Sequence, residues 1–198
     1  MTTSEATMRH TVAALVEDKP GVLNRVASLF RRRGFNIESL AVGSTEEAGI
    51  SRMTFVIEGG EGIVEQVEKQ LYKLIDVVKV SDLTSEDAVI RELALIKVRC
   101  RPEQRREVLD LVEIFRAQAV DVTQNGLVVQ LVAQPETVDG LLDNLRPYGI
   151  REMVRTGQIA IARGAKTTSV HEAEPAAAAR FHQESGRRPE GELPYVSK

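Results

Sequence analysis

Apolar residues in this chain occur in two patterns, as short continuous runs and as positions spaced three or four apart. Residues 11–16 form a run of strand length, and the apolar positions after Pro20 recur as on one face of a helix. Pro20, Pro102 and Pro135 each follow a strand-like run and open a stretch with helical spacing, where a residue without an N–H costs nothing. The three prolines therefore mark strand-to-helix junctions.

The first half of the chain predicts the order strand, helix, strand, strand, helix, strand. Gly34 supplies the stop of the first helix. Residues 36–43 and 51–58 predict two strands that a polar loop joins as a hairpin, and residues 77–80 predict a fourth strand. The apolar faces of the two helices consist of Val22, Val26, Leu29 and Phe30 and of Val64, Val67, Leu71 and Leu74.

The same order of elements recurs after residue 84. The predicted strands are residues 93–99, 120–122, 127–132 and a final strand region at 150–163. The helical faces consist of Val108, Leu111, Val112 and Phe115 and of Val138, Leu141, Leu142 and Leu145. The sequence thus predicts an α+β fold of two tandem ferredoxin-like βαββαβ units, each a four-stranded sheet with two helices on one face. About 75 residues give each unit a modest core, so we expect the units to dock on each other or on a partner.

Composition divides the chain into four segments. We expect a flexible N-terminus at 1–8, the first unit at 9–84, the second at 85–164, and a disordered tail at 165–198 that holds three of the seven prolines. No apolar run approaches the ~18 residues that a membrane span needs, and the N-terminus lacks the basic-then-apolar plan of a secretory signal. The expected location is therefore cytoplasmic, with no membrane partner.

The charge balance argues against nucleic acid as a partner. Lys and Arg number 26 against 29 Asp and Glu, so no positive surplus is available for a phosphate backbone, and the chain has no Trp. An RNA-binding module shares the βαββαβ topology, and the Arg-Gly-Phe sequence at 33–35 is similar to its signature. That signature belongs on the third strand, however, and here it precedes the second.

Residues for catalysis or metal binding are nearly absent. His10, His171 and His182 lack the spacing of a metal pair or a triad and are expected to be solvated surface side chains. Cys100 is the only cysteine, which excludes an intrachain disulfide, and we interpret it as a small core residue. A self-contained small enzyme is disfavoured because no set of acid, base and nucleophile can be assembled.

The first strand-to-helix turn, residues 17–23, is the one candidate site. A helix N-terminus offers unpaired N–H donors and the positive end of its dipole, which together suit a carboxylate. Gly21 has no Cβ to block close approach. Asp18 has two interpretations: it either caps the helix or holds an ammonium group. The turn therefore fits a small molecule that carries both an ammonium and a carboxylate.

The segment Glu-Asp-Lys-Pro-Gly-Val-Leu at 17–23, with Arg-Gly-Phe-Asn-Ile-Glu-Ser-Leu at 33–40, resembles the ACT domain of the acetolactate synthase (acetohydroxyacid synthase) small subunit. The resemblance covers about residues 9–164. It continues through residues 51–54, 68–77, 91–98, 114–116 and 161–164.

This resemblance implies a non-catalytic regulatory subunit that binds and activates a separate catalytic large subunit. Feedback inhibition by valine or another branched-chain amino acid is implied, with thiamine diphosphate, magnesium and FAD on the large subunit and no cofactor on this chain. The first unit would bind the amino acid and form a homodimer, and the second would activate the large subunit. An alternative is an ACT-type amino-acid sensor of another biosynthetic enzyme.

In this family the inhibitor lies where two ACT domains pair across a dimer. The resemblance therefore implies one set of ligand-binding residues from the first turn of one subunit and a second set from its mate, with Ile37 meeting the branched side chain. These residues are Asp18, Pro20, Gly21, Val22, Leu23 and Asn24 on the first turn, and Asn36 and Ile37 at the start of the second strand.

Overall fold

The computed structural model describes residues 8–60, 62–84 and 87–169. The expectations of a flexible N-terminus at 1–7 and of a disordered tail from residue 170 onward lie outside these residues. Met8 already begins a strand, and Thr168 is buried. Lys79 donates from Nζ to the carbonyl of Ser169 over 3.2 Å, so the chain after residue 164 returns to the first unit.

Each half of the chain contains a sheet and two helices. The first half consists of β1 (Met8–Glu17), α1 (Val22–Arg33), β2 (Asn36–Ser44), β3 (Ile50–Gly59), α2 (Ile63–Leu71) and β4 (Val77–Asp82). The second half consists of β5 (Ala88–Arg99), α3 (Arg105–Ile114), β6 (Gln118–Thr123), β7 (Gly126–Ala133), α4 (Pro135–Leu145), β8 (Ile150–Arg155) and β9 (Ile159–Ala162). Short 3₁₀ turns lie at Pro102–Gln104 and Arg146–Tyr148.

The two sheets share one topology. The strand orders are β2-β3-β1-β4 and β6-β7-β5-β8, with every pairing antiparallel. Two tandem ferredoxin-like units are therefore confirmed, as is the α+β class. Among the described residues, no helix combines the length and the apolar character that a bilayer crossing requires.

Each unit has its own core between its sheet and its helices. In the first core, Phe30 of α1 stacks on Phe55 of β3 with ring centroids 5.0 Å apart. Val12, Ala14 and Val16 alternate along β1 toward the same core, as an apolar strand covered on one face by helices requires. The second core has its own alternating set in β5, which is Ala94, Ile96 and Val98.

Several sequence expectations are wrong in detail. The predicted strand region at 150–163 is two strands, because the chain turns at residues 156–158, where Gly157 has φ +81°. The strand predicted at 93–99 begins at Ala88. The second helix ends at Leu71, so Leu74 lies beyond it, although its side chain still packs on the first core.

The two units dock on each other through β5 and β9, as expected. The first four residues of β5 pair with β9 and not with the second sheet, and this ribbon covers the face of the first sheet opposite its helices. Ala160 is buried there against Ala13 and Leu83. The contact is also polar, since the Gln158 N–H donates to Oγ of Ser39 over 3.0 Å.

Candidate functional site

The turn between β1 and α1 is fixed at both sides by backbone hydrogen bonds. The Glu17 N–H donates to the carbonyl of Asp76 over 2.9 Å, and the Asp18 N–H donates to the carbonyl of Gly49 over 2.7 Å. The first bond joins the turn to the segment before β4, and the second joins it to the β2–β3 hairpin loop. The turn therefore keeps one position at the end of the first sheet.

The helix begins after Gly21, whose φ of +86° is the left-handed conformation that glycine adopts without strain. The Val22 N–H donates to the Lys19 carbonyl over 3.3 Å. Within residues 8–60, 62–84 and 87–169, the N–H groups of Leu23 and Asn24 meet no acceptor. The first turn of α1 contains no acidic residue to satisfy them. Two amide donors at the positive end of the helix are thus available to an anion.

An arginine that the sequence analysis missed lies over this turn. Arg25 donates from Nε to Oδ2 of Asp76 over 2.7 Å, and Asp76 is buried while Arg25 is half-exposed. A Cβ placed on Gly21 would lie 3.3 Å from Nη1 of Arg25. The guanidinium therefore stands against Gly21, at the end of α1 that carries the two free amides. Its position four residues after Gly21, on the same side of the helix, is the one sequence signal that pointed to it.

The side chains of Asp18 and Lys19 are exposed at the same turn. Lys19 forms an ion pair with Glu17 at 2.8 Å, and the hydrogen bond to that carboxylate raises the pKa of Lys19. In the described part of the chain, the Asp18 carboxylate accepts no hydrogen bond from the first-turn amides. The capping interpretation of Asp18 is therefore not observed. Its side chain is exposed, in the same turn as the free amides.

The remaining predicted residues of the turn divide by burial. Val22 is buried in the first core, whereas Pro20, Gly21 and Asn24 are exposed. Leu23 is 47% exposed, although it is a large apolar residue. An exposed leucine next to unpaired amides gives the turn both an apolar and a polar part.

Asn36 and Ile37 lie far from this turn within one chain. Asn36 pairs in register with Glu58, and Glu58 pairs with Arg9, eight residues along β1 from Glu17. At about 3.3 Å per residue, the two groups are about 26 Å apart along the sheet. The structure therefore does not bring both sets of predicted residues together in a single chain.

The start of β2 has local partners of its own. Asn36 donates from Nδ2 to Oε2 of Glu58 over 3.0 Å, and Ile37 is half-buried against the first core. Since β2 is the edge strand of its sheet, its outer side carries backbone groups without a neighbouring strand among the described residues.

The other candidate groups stay apart from this turn. Cys100 is buried in the second core, as expected. His10 is not the solvated surface side chain that was expected, because it is half-buried at the edge of β1 and its Nε2 is enclosed without a partner among the described residues. In the described ranges, no three His, Cys, Asp or Glu side chains are grouped in a metal-binding arrangement.

Comparison with family models identifies both units. Residues 12–79 match the model described as the AHAS small subunit-like ACT domain, so the unit that carries the turn is an ACT domain. Residues 91–164 match the model described as the small subunit of acetolactate synthase.

Whole-chain relatives agree with both matches. The chain is 54% identical over 159 residues to a probable acetolactate synthase small subunit of Archaeoglobus fulgidus, covering 80% of this chain and 99% of that one. It is 49% identical over 158 residues to the acetolactate synthase small subunit of Bacillus subtilis, covering 79% and 92%. The solved acetolactate synthase small subunit of Thermotoga maritima superposes with a TM-score of 0.75 at 42% identity, covering 80% and 99%. The chain belongs to the acetolactate synthase small subunit family.

Proposed function

We propose that this chain is the non-catalytic regulatory subunit of acetolactate synthase. In this proposal it binds and activates a catalytic large subunit, and it mediates feedback inhibition by a branched-chain amino acid. Thiamine diphosphate, magnesium and FAD belong to the large subunit. The family membership supports the regulatory role, and the free amides of Leu23 and Asn24 are the observation that carries the amino-acid site.

Each part of the first turn has a role toward a zwitterion. The two amides and the Arg25 guanidinium bind the carboxylate, since charge-assisted hydrogen bonds are stronger than neutral ones. The solvated Asp18 carboxylate binds the ammonium group. Leu23, apolar and exposed, covers part of the aliphatic side chain.

The second half of the site comes from another copy of the chain. The Ser44 end of β2 lies at the same end of the sheet as the first turn, because the loop after it accepts the Asp18 N–H at Gly49. If two β2 edges pair antiparallel about a two-fold axis, the Asn36 end of each faces the Ser44 end of the other. That pairing places Asn36 and Ile37 of one copy next to the first turn of its mate.

Inhibition then follows from a shift in population between two arrangements of the dimer. An amino acid held between two copies stabilises one arrangement of their paired sheets, and it acts on the large subunit only through its different affinity for the two arrangements. Such coupling is typically about 1–3 kcal/mol.

The experiment is inhibition of the reconstituted enzyme by valine, leucine and isoleucine, comparing Gly21→Asp with Gly21→Ala. Both variants carry the strain of a Cβ at positive φ and the contact with Arg25. Only Gly21→Asp adds a carboxylate that competes for Arg25 and repels the ligand. We expect Gly21→Asp to lose inhibition and keep activation, while Gly21→Ala remains inhibited. Normal inhibition of Gly21→Asp would contradict the site.

A further inference from the structure

A cleft of about 500 Å³ lies between the two units, and none of residues 17–24 lines it. Its floor is the β2–β3 part of the first sheet, and its wall is the β5–β9 ribbon. The lining is mainly apolar and includes Val42, Val89, Ile159 and Ile161. Ile159 and Ile161, two alternate residues of β9 on one face of the strand, are 57% and 55% exposed although both are large and apolar.

One guanidinium stands inside this apolar lining. Arg52 of β3 is half-buried and donates from Nη1 to the carbonyl of Ala160 over 3.2 Å. Among the described residues it forms no ion pair, although Glu46 also lines the cleft. Burial lowers the pKa of Arg52, and the charge of Glu46 acts in the opposite direction.

The space in front of Arg52 is open because the residue opposite it is a glycine. Gly43 pairs in register with Arg52, so a side chain there would point to the same face of the sheet. A Cβ at Gly43 meets no atom within 4 Å. Arg91 adds a second cation to the lining, which makes its net charge positive.

A half-buried guanidinium without a carboxylate partner, in an apolar cleft of ligand size, fits a molecule with one anionic end and an aliphatic body. We propose that this cleft binds an aliphatic monocarboxylate, with its carboxylate on Arg52 and its chain along Val89 and Ile161. Because both units line the cleft, the bound carboxylate strengthens their contact. The cleft shares no lining residue with the first turn, although residues 41–44 belong both to the cleft and to the β2 edge that pairs in the proposed dimer.

Calorimetry with octanoate tests the proposal on the full chain, with octan-1-ol and octylamine as neutral and cationic probes of the same length. We expect octanoate to bind and to raise Tm, and the other two to bind at least about tenfold more weakly, because a charge-assisted hydrogen bond is lost. Equal binding of octanol and octanoate, or no binding of octanoate, would overturn it.

Three variants locate the site. Arg52→Gln removes the charge, and Gly43→Leu fills the cleft at a position with free space and ordinary backbone. Both should weaken octanoate binding about tenfold or more. Arg9→Gln, at an arginine outside the cleft, should leave it unchanged. Gly21→Asp should also leave octanoate binding unchanged, which would distinguish the cleft from the amino-acid site. Unchanged binding by Gly43→Leu would contradict the placement even if Arg52→Gln failed to fold.

Discussion

Arg25 and Asp76, 51 residues apart in sequence, form an ion pair at 2.7 Å that joins the first turn of α1 to the segment before β4. Asp76 is only 5% exposed, and its backbone carbonyl also accepts the Glu17 N–H. One residue thus holds both the end of β1 and the arginine side chain that stands against Gly21. The shape of the candidate site depends on this residue.

Asp76→Asn should lower the free energy of unfolding by about 2 kcal/mol, because Arg25 loses a charged acceptor. It should also raise the valine concentration needed for half-inhibition, since Arg25 is no longer held beside Gly21. Glu17→Gln is the matched control in the same turn. It breaks the exposed pair with Lys19 and should lower the free energy of unfolding much less than Asp76→Asn does. Urea denaturation measures the free energy of unfolding of both variants. Equal losses in the two variants would show that the burial of Asp76 is unimportant.

Gly157→Ala should destabilise the contact between the two units. A Cβ at Gly157 would lie 2.5 Å from Oγ of Ser39, which accepts the Gln158 N–H, and its φ of +81° adds strain. Gly164→Ala shares the positive φ and meets nothing within 4 Å. We expect Gly164→Ala to lower the free energy of unfolding by about 1 kcal/mol from backbone strain alone. Gly157→Ala should lower it by about 1–3 kcal/mol more, because the hydrogen bond from the Gln158 N–H to Ser39 is displaced. Similar losses in both would mean that this contact contributes little.

The fold was largely predictable because the signals for it are local. Apolar periodicity, three junction prolines and Gly34 define both units, and the turn at 17–23 follows from its own sequence. The contact between the units was not predictable. Residues 88–91 form a strand because β9 pairs with them about 70 residues later, and Gly157 breaks an apolar region that otherwise resembles one strand.

The candidate site was predictable only in part for the same reason. The free amides follow from a helix that is preceded by a glycine and has no acidic residue in its first turn. The pairing of Arg25 with Asp76 depends on the fold, and no spacing in the sequence indicates it. The distance between Asn36 and the first turn likewise follows from strand register.

Glu68 of α2 gives a pH prediction. Burial raises the pKa of its carboxyl, and the carboxylates of Asp82 and Glu65 raise it further. The pKa of Glu68 is higher in the folded state than in the unfolded state. Ionisation of this carboxyl therefore lowers the free energy of unfolding as the pH rises from the unfolded pKa to the folded one. Glu68→Gln should therefore raise Tm at pH 7 by no more than about 3 °C, and the gain should vanish below about pH 4.

The neighbouring carboxyl should behave in the opposite way. The hydrogen bond from Lys69 lowers the pKa of Glu65, so its contribution is present at neutral pH and is lost on acidification. Glu65→Gln should lower Tm slightly at pH 7 and have no effect at low pH. Thermal unfolding between pH 3 and 8 compares the two variants. A lower Tm for Glu68→Gln than for the unchanged protein at pH 7 would contradict the upward shift of the Glu68 pKa.

Complementation between two defective chains tests the shared amino-acid site most directly. Gly21→Asp disrupts the half of the site on the first turn, and Asn36→Ala disrupts the half at the start of β2. Neither homodimer should therefore bind valine. In a mixed dimer, the intact turn of one copy meets the intact strand of the other. Calorimetry of the mixture, with mixed dimers verified by native mass spectrometry, should recover valine binding in about a quarter of all sites. Verified mixed dimers that bind no valine would contradict a site shared between two copies.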